Sequence, residues 1–148
     1  MPSRAVVQIP GRAVRLDADT VRDEVARCGS LHDVLLRYTH ALMTQISLGA
    51  ACNRFHTVDE RLCRLLLSCR DRLRSPTLDL TQEALSSLLG VRRESVTIAA
   101  RHLQDAGLIR YARGHIAIQD HDGLEARACE CYRAELRGFS PQPRIRAR

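Results

Sequence analysis

Apolar and polar positions follow different rhythms along the chain, and each rhythm predicts a different element. Ala5–Ile9 is a short apolar run that stops at Pro10-Gly11, which reads as a strand ending in a turn. Arg12–Leu16 alternates, as a short extended stretch does. Asp17 or Asp19 is placed to cap a short helix from about Thr20 to Arg27, which Gly29-Ser30 breaks. Ser30 then caps a long helix. Leu31, Leu35, Tyr38, Leu42, Gln45, Gly49 and Cys52 recur at the alternating four-and-three spacing of a heptad seam, widened by Val34, Ala41 and Leu48. Such a stripe pairs two helices of a coiled coil or packs on its own domain, and the pattern does not decide which. His56-Thr57 ends the helix. Thr57 and Glu60 form a capping box for the next one, Val58 to about Leu73, with Leu62, Leu65, Leu66, Cys69 and Leu73 on its buried face. Ser75-Pro76 closes it.

From Leu80 the rhythm shortens. Thr81 caps a helix whose apolar face is Leu85, Leu88 and Leu89, and Gly90 supplies a left-handed stop. Val91 plugs the turn. A second helix runs from Arg92 or Arg93 to about Ala106, with Val96, Ala99, Ala100 and Leu103 inward, and ends at Gly107. The link is too short for antiparallel packing and forces a steep crossing, with small Ser86 at the approach. This geometry fits a helix-turn-helix or an αα-corner. Leu108–Ile118 favours the first. Ile109 and Tyr111 alternate, Gly114 turns the chain, and Ile116 and Ile118 alternate back. The result is a hairpin with Arg110, Arg113 and His115 near its tip, placed where a wing would rest on phosphates. A last helix is predicted from about Asp122 to Leu136, carrying Leu124, Ala128, Cys131 and Tyr132, before a basic tail read as disordered.

Composition narrows the function classes. The chain is 45% apolar but only 3% aromatic, so it has few rings to stack under single-stranded bases. The net charge is +6 and every basic residue is arginine, a fork that suits phosphate and the guanine edge. Codon bias produces the same count, and much of the excess sits in the tail, so charge adds little. No run of about 18 apolar residues predicts a membrane span, and the first twelve residues do not read as a secretory signal. The expectation is a cytoplasmic protein with reduced thiols. Cys129 and Cys131, two apart on one predicted helix, would point to nearly opposite sides, so the cysteines read as packing thiols and no metal or other cofactor is expected. His32, His40, His56, His102, His115 and His121 show no ligand spacing. No phosphate-cradling loop or nucleophile–base pair appears, and an enzyme is not expected.

The stretch Leu80-Thr-Gln-Glu-Ala-Leu-Ser-Ser-Leu-Leu-Gly-Val-Arg-Arg-Glu-Ser-Val, then Leu103 and Gly107-Leu-Ile, resembles the C-terminal domain of the Crp/Fnr family. Ile116-Ala-Ile-Gln-Asp120, Leu124 and Ala128 continue the match, and Arg61-Leu62 and Leu65-Leu66 resemble the helix after the family's dimerisation helix. Ala5–Leu16 resembles the last strand of its effector barrel. The resemblance implies a mainly α fold: a long dimerisation helix, then a winged helix-turn-helix domain with a small β-hairpin wing. Residues 1–29 would be a barrel end with a short helix, 30–56 the dimerisation helix, 57–136 the DNA-binding domain and 137–148 the tail. Most of the barrel, with its cyclic-nucleotide contacts, has no counterpart, nor do the cysteines that hold an iron–sulfur cluster in some members. Sensing of a small ligand in the usual way is therefore not expected.

The resemblance further implies a homodimer that regulates transcription by binding double-stranded DNA, with RNA polymerase as a candidate further partner and helix 92–106 in the major groove. Leu31, Leu35, Tyr38, Leu42, Gln45 and Gly49 would form the dimer seam. Arg93, Glu94 and Thr97 would read bases, while Thr81, Gln82, Arg92, Ser95 and Arg113 would hold the backbone. Two positions depart from the family. Ile98 stands where a third reader is arginine, and Arg92 where Ser or Thr caps the helix. The alternative is an interaction module that pairs with a full-length relative and modulates it.

Overall fold

The computed structural model describes Val7 and residues 11–139, and side chains as far as 137. Apart from Val7, the strand expected at Ala5–Ile9 lies outside the described residues, as does the tail beyond 139. The chain divides into two compact units, Met1–His40 and Ala41–Arg148.

In the first unit, α1 (Ala18–Ala26) starts at Asp17, whose carboxylate accepts from the Asp19 amide at 3.0 Å. Arg22–Asp19 and Arg27–Glu24 ion pairs line its exposed surface, and such pairs add little stability. The long helix α2 (Ser30–Phe55) begins in this unit and ends in the second. Its stripe does not have one environment. Leu35, Tyr38 and Leu42 are exposed, whereas Cys52 is fully buried against Cys129 within the second unit. The far end of the stripe therefore packs on its own domain.

The second unit is organised around α3 (Val58–Leu73). Thr57 and Glu60 form the expected capping box. Leu62, Leu66 and Leu67 of α3 are fully buried. Burying each such side chain is worth about 1.5–3 kcal/mol. They meet Leu85 and Leu89 of α4 (Gln82–Leu89) and Val96, Ala99, Ala100 and Leu103 of α5 (Arg93–Asp105). Leu88, expected on the inner face of α4, is instead 38% exposed. Gly90, at φ 63°, ends α4, and its amide and that of Val91 both donate to the Ser86 carbonyl. Arg61, buried on α3, donates to the Leu89 carbonyl. A positive group thus satisfies a carbonyl that the helix end leaves orphaned.

The wing is β2 (Ile109–Ala112) and β3 (His115–Ile118), antiparallel with Tyr111 opposite Ile116. Arg113 and Gly114 both have positive φ, at 49° and 85°, as a tight hairpin turn of the primed type requires. A third strand, β1 (Thr77–Asp79), pairs with β3 on its other side, giving the order β1-β3-β2. Three residues with one apolar position carry no period, so the sequence showed only the hairpin. Leu78 is nevertheless fully buried and sits opposite Ile116.

The single last helix expected from Asp122 to Leu136 is two helices, α6 (His121–Arg127) and α7 (Cys131–Phe139). Ala128 takes an extended backbone, φ −71° and ψ 148°, which stops α6. The break leaves Leu124 and Tyr132 both buried in the main core. It also overturns the reasoning that set Cys129 and Cys131 on opposite sides of one helix. Glu135 of α7, only 6% exposed, accepts from Arg64 at 3.1 Å, Ser68 at 3.1 Å and Arg72 at 2.6 Å, all on α3. Tyr132 donates to Asp71 at 2.7 Å. No helix among the described residues is long and apolar enough to cross a membrane.

Candidate nucleic-acid interface

Three elements converge on one shallow concavity lined by Thr81, Gln82, Arg93, Tyr111, Arg113 and Gly114. Thr81 caps α4, its hydroxyl accepting from the Ala84 amide at 3.1 Å. Gln82 opens α4, Arg93 opens α5, and Tyr111, Arg113 and Gly114 belong to the wing. Gln82 joins them. Its Oε1 accepts from Arg93 Nε at 3.3 Å and lies 3.1 Å from Thr97 Oγ1. Thr97 Oγ1 is also 3.0 Å from the Arg93 carbonyl. The amide oxygen therefore sets the direction of one cation and one hydroxyl on the exposed face of α5.

Of the residues expected to contact DNA, Thr81, Gln82, Arg93 and Arg113 share this concavity, and Thr97 is tied to it through Gln82. Arg92, Glu94 and Ser95 lie beside it at the start of α5, Arg92 and Glu94 exposed and Ser95 half-buried. Arg92 occupies the N-cap with no side-chain capping bond, so it does not occupy the first-turn amides. Ile98 is 56% exposed on the same helix, an apolar group where the resemblance leads one to expect a cation. Of the hairpin's basic positions, Arg110 is exposed on β2, whereas His115 is held by Asp79 at 2.6 Å. The residues expected to form a dimer seam divide by exposure. Leu35, Tyr38 and Leu42 are exposed, while Leu31, Gln45 and Gly49 are half-buried.

Sequence reasoning passed over Tyr111 as a site residue because strand alternation assigned it to packing. It is half-buried, and burial raises its hydroxyl above the ordinary range while the Gln82 backbone bonds to it and Arg93 lies near. It also passed over a donor set, Cys52, His56, Cys129 and Cys131, which comes together at the end of α2. The signal available was Cys-x-x-x-His in one segment and Cys-x-Cys in another, and only the α6–α7 break relates them.

Two helices crossing at a glycine turn, followed by a hairpin on their open side, define a winged helix-turn-helix domain. Residues 60–127 match the family model of the Crp-like helix-turn-helix domain, so this part of the chain is similar to that domain. The chain is similar to the CRP-like cAMP-activated global transcriptional regulator of Mycobacterium tuberculosis, at 30% identity over 124 residues, covering 79% of this chain and 55% of that protein. In fold it resembles a protein of Eubacterium rectale described as a transcriptional regulator of the crp/fnr family. That likeness has TM-score 0.57 and 24% identity and covers 74% of this chain and 51% of the other. A CRP-family transcriptional regulator of Thermus thermophilus gives TM-score 0.51 at 23% identity, over 58% of this chain and 47% of its own. The chain thus spans about half the length of these relatives. They are transcription regulators, a class that is not enzymatic.

Proposed function

We propose that this chain is a sequence-specific regulator of transcription that binds double-stranded DNA as a homodimer, with α5 entering the major groove. The supporting observation is the Gln82-centred concavity, where the starts of α4 and α5 and the tip of the wing present Thr81, Arg93 and Arg113 together. A helix N-terminus beside two arginines suits phosphate. Arg93 is the candidate for a two-bond contact to guanine, Glu94 for accepting from cytosine N4, and Thr97 for a thymine methyl. Thr81, Gln82, Arg92, Ser95 and Arg113 are assigned to the backbone, where they position the protein without reading sequence. The dimer is assigned to α2, whose exposed Leu35, Tyr38 and Leu42 recur at seam spacing. In this division, residues 30–56 dimerise and 57–136 bind DNA.

The test is selection from a random duplex library with the full chain, followed by titration of the enriched site at several salt concentrations. A near-palindrome should be enriched, and affinity should fall steeply with salt as phosphate contacts release counterions. Arg93→Ala should cost about 1–3 kcal/mol on the selected site and relax discrimination at one base pair. If the variant and the parent discriminate equally between selected and random duplex, Arg93 does not read sequence. If no sequence is enriched unless a full-length relative is added, the chain is an interaction module instead.

A further inference from the structure

α2 ends in Cys52-x-x-x-His56, with His56 one residue past the helix. The α6–α7 link carries Cys129-Glu130-Cys131. The sulfur and imidazole donor atoms of these four residues all lie within 4.8 Å of one another. Cys52 Sγ is 3.5 Å from Cys129 Sγ, and Cys131 Sγ is 3.7 Å from His56 Nδ1. Four ligands placed tetrahedrally around zinc, with Zn–S bonds of about 2.3 Å, stand roughly 3.6–3.8 Å apart. These two separations match such a shell, and the remaining donor pairs lie within 4.8 Å. An iron–sulfur cluster would spread its ligands wider.

The surroundings distinguish this set from ordinary packing thiols. Cys52, Cys129 and Cys131 form a buried cluster of their own, apart from the main core. An apolar cluster has no use for an imidazole nitrogen directed into it. The other ring nitrogen of His56, Nε2, lies 3.3 Å from Glu130 Oε1. A carboxylate there fixes the ring so that Nδ1 faces the sulfurs, the arrangement by which metal-bound histidines are usually oriented. Arg64 lies beside Cys52, a positive charge that would offset the excess negative charge of three thiolates around a dication. Cys63 is the contrast. It is fully buried in the main apolar core, outside the Cys52, His56, Cys129 and Cys131 donor set.

We propose that Cys52, His56, Cys129 and Cys131 bind a single zinc ion tetrahedrally and so pin the end of α2 to the α6–α7 link. Three thiolates and an imidazole are a soft donor set that suits zinc. With four protein ligands the site has no open position, so its role is structural rather than catalytic. The assignment does not depend on the DNA-binding reading.

The test is elemental analysis of the full chain, purified under reducing conditions with zinc supplied and no chelator, then desalted. One zinc per chain is expected. Cys129→Ser with Cys131→Ser, and separately His56→Ala, should lose most of it, while Cys28→Ser, at an exposed cysteine, should keep it. To cover variants that do not fold, the parent is stripped with chelator and titrated with cobalt(II). Thiolate charge-transfer and tetrahedral d–d bands should saturate at one equivalent and vanish when zinc is added. The proposal fails if the parent holds no zinc and gives no such bands. It also fails if the double variant folds and keeps its zinc, or if the freshly reduced, zinc-supplied protein carries a Cys52–Cys129 disulfide.

Discussion

At the scale of single residues, the proposed interface gathers around a side chain that need not touch a base. Gln82 Oε1 holds both Arg93 and Thr97. Gln82→Ala should therefore weaken binding and blur the base-pair preference assigned to Arg93, by no more than the roughly 1–3 kcal/mol expected for Arg93 itself. Titrations of duplexes altered at one base pair check this, and unchanged discrimination would mean Arg93 orients without help. Glu135 makes a second residue-scale case. Its carboxylate is buried among Arg64, Ser68 and Arg72, and removing one partner strands a buried charge. Glu135→Ala should lower unfolding free energy by about 3 kcal/mol, read from urea denaturation. A loss under about 1 kcal/mol would show that the network is mostly solvated. Neither arrangement was legible in the sequence. The resemblance marks Gln82 only as a backbone contact, and Glu135 is one acid in an acid-rich run with nothing local to mark it as buried.

Elements were far more legible than their joints. The Thr57–Glu60 capping box, the Gly90 stop and the inward face of α5 each follow from two or three residues at fixed local spacing, and the structure keeps all three. β1 and the α6–α7 break were not legible, because both are set by distant partners: β1 by β3, and the break by two helices packing on α3. Local signals also yield local predictions. Gly90→Ala places a Cβ at positive φ and should cost about 1–2 kcal/mol, seen as a lower unfolding midpoint with little change in m-value. Glu60 accepts from Thr57, which holds its carboxyl below the ordinary value of 4.5. A group with a depressed folded pKa adds stability above its unfolded pKa and loses it as pH falls through the folded one. Acid unfolding should therefore steepen below about pH 4.5, and Glu60→Gln should flatten that part of the stability curve. An unchanged acid limb would remove the capping box as its source.

For the whole molecule, the open matter at sequence level was what the α2 stripe faces, and its two ends give different answers. Cys52 is buried in its own domain, while Leu35, Tyr38 and Leu42 stay exposed. Leu42→Glu should turn a dimer into a monomer in sedimentation at micromolar concentration, without loss of helix by circular dichroism. A parent that sediments as a monomer would refute the assignment outright.

The third strand has a consequence of another kind. β1 and β3 meet across a separation of 36 residues at Asp79 and His115, and α4, the turn, α5 and β2 all lie between them. α4 and α5 are therefore the contents of a loop that this pairing closes. Closing so long a loop costs entropy before its contacts form, so the two helices should not persist while the sheet is open. Amide hydrogen exchange in α4 and α5 should then follow that of β3, with no separate faster opening. A protein built this way keeps or loses its capacity to recognise a partner as one event.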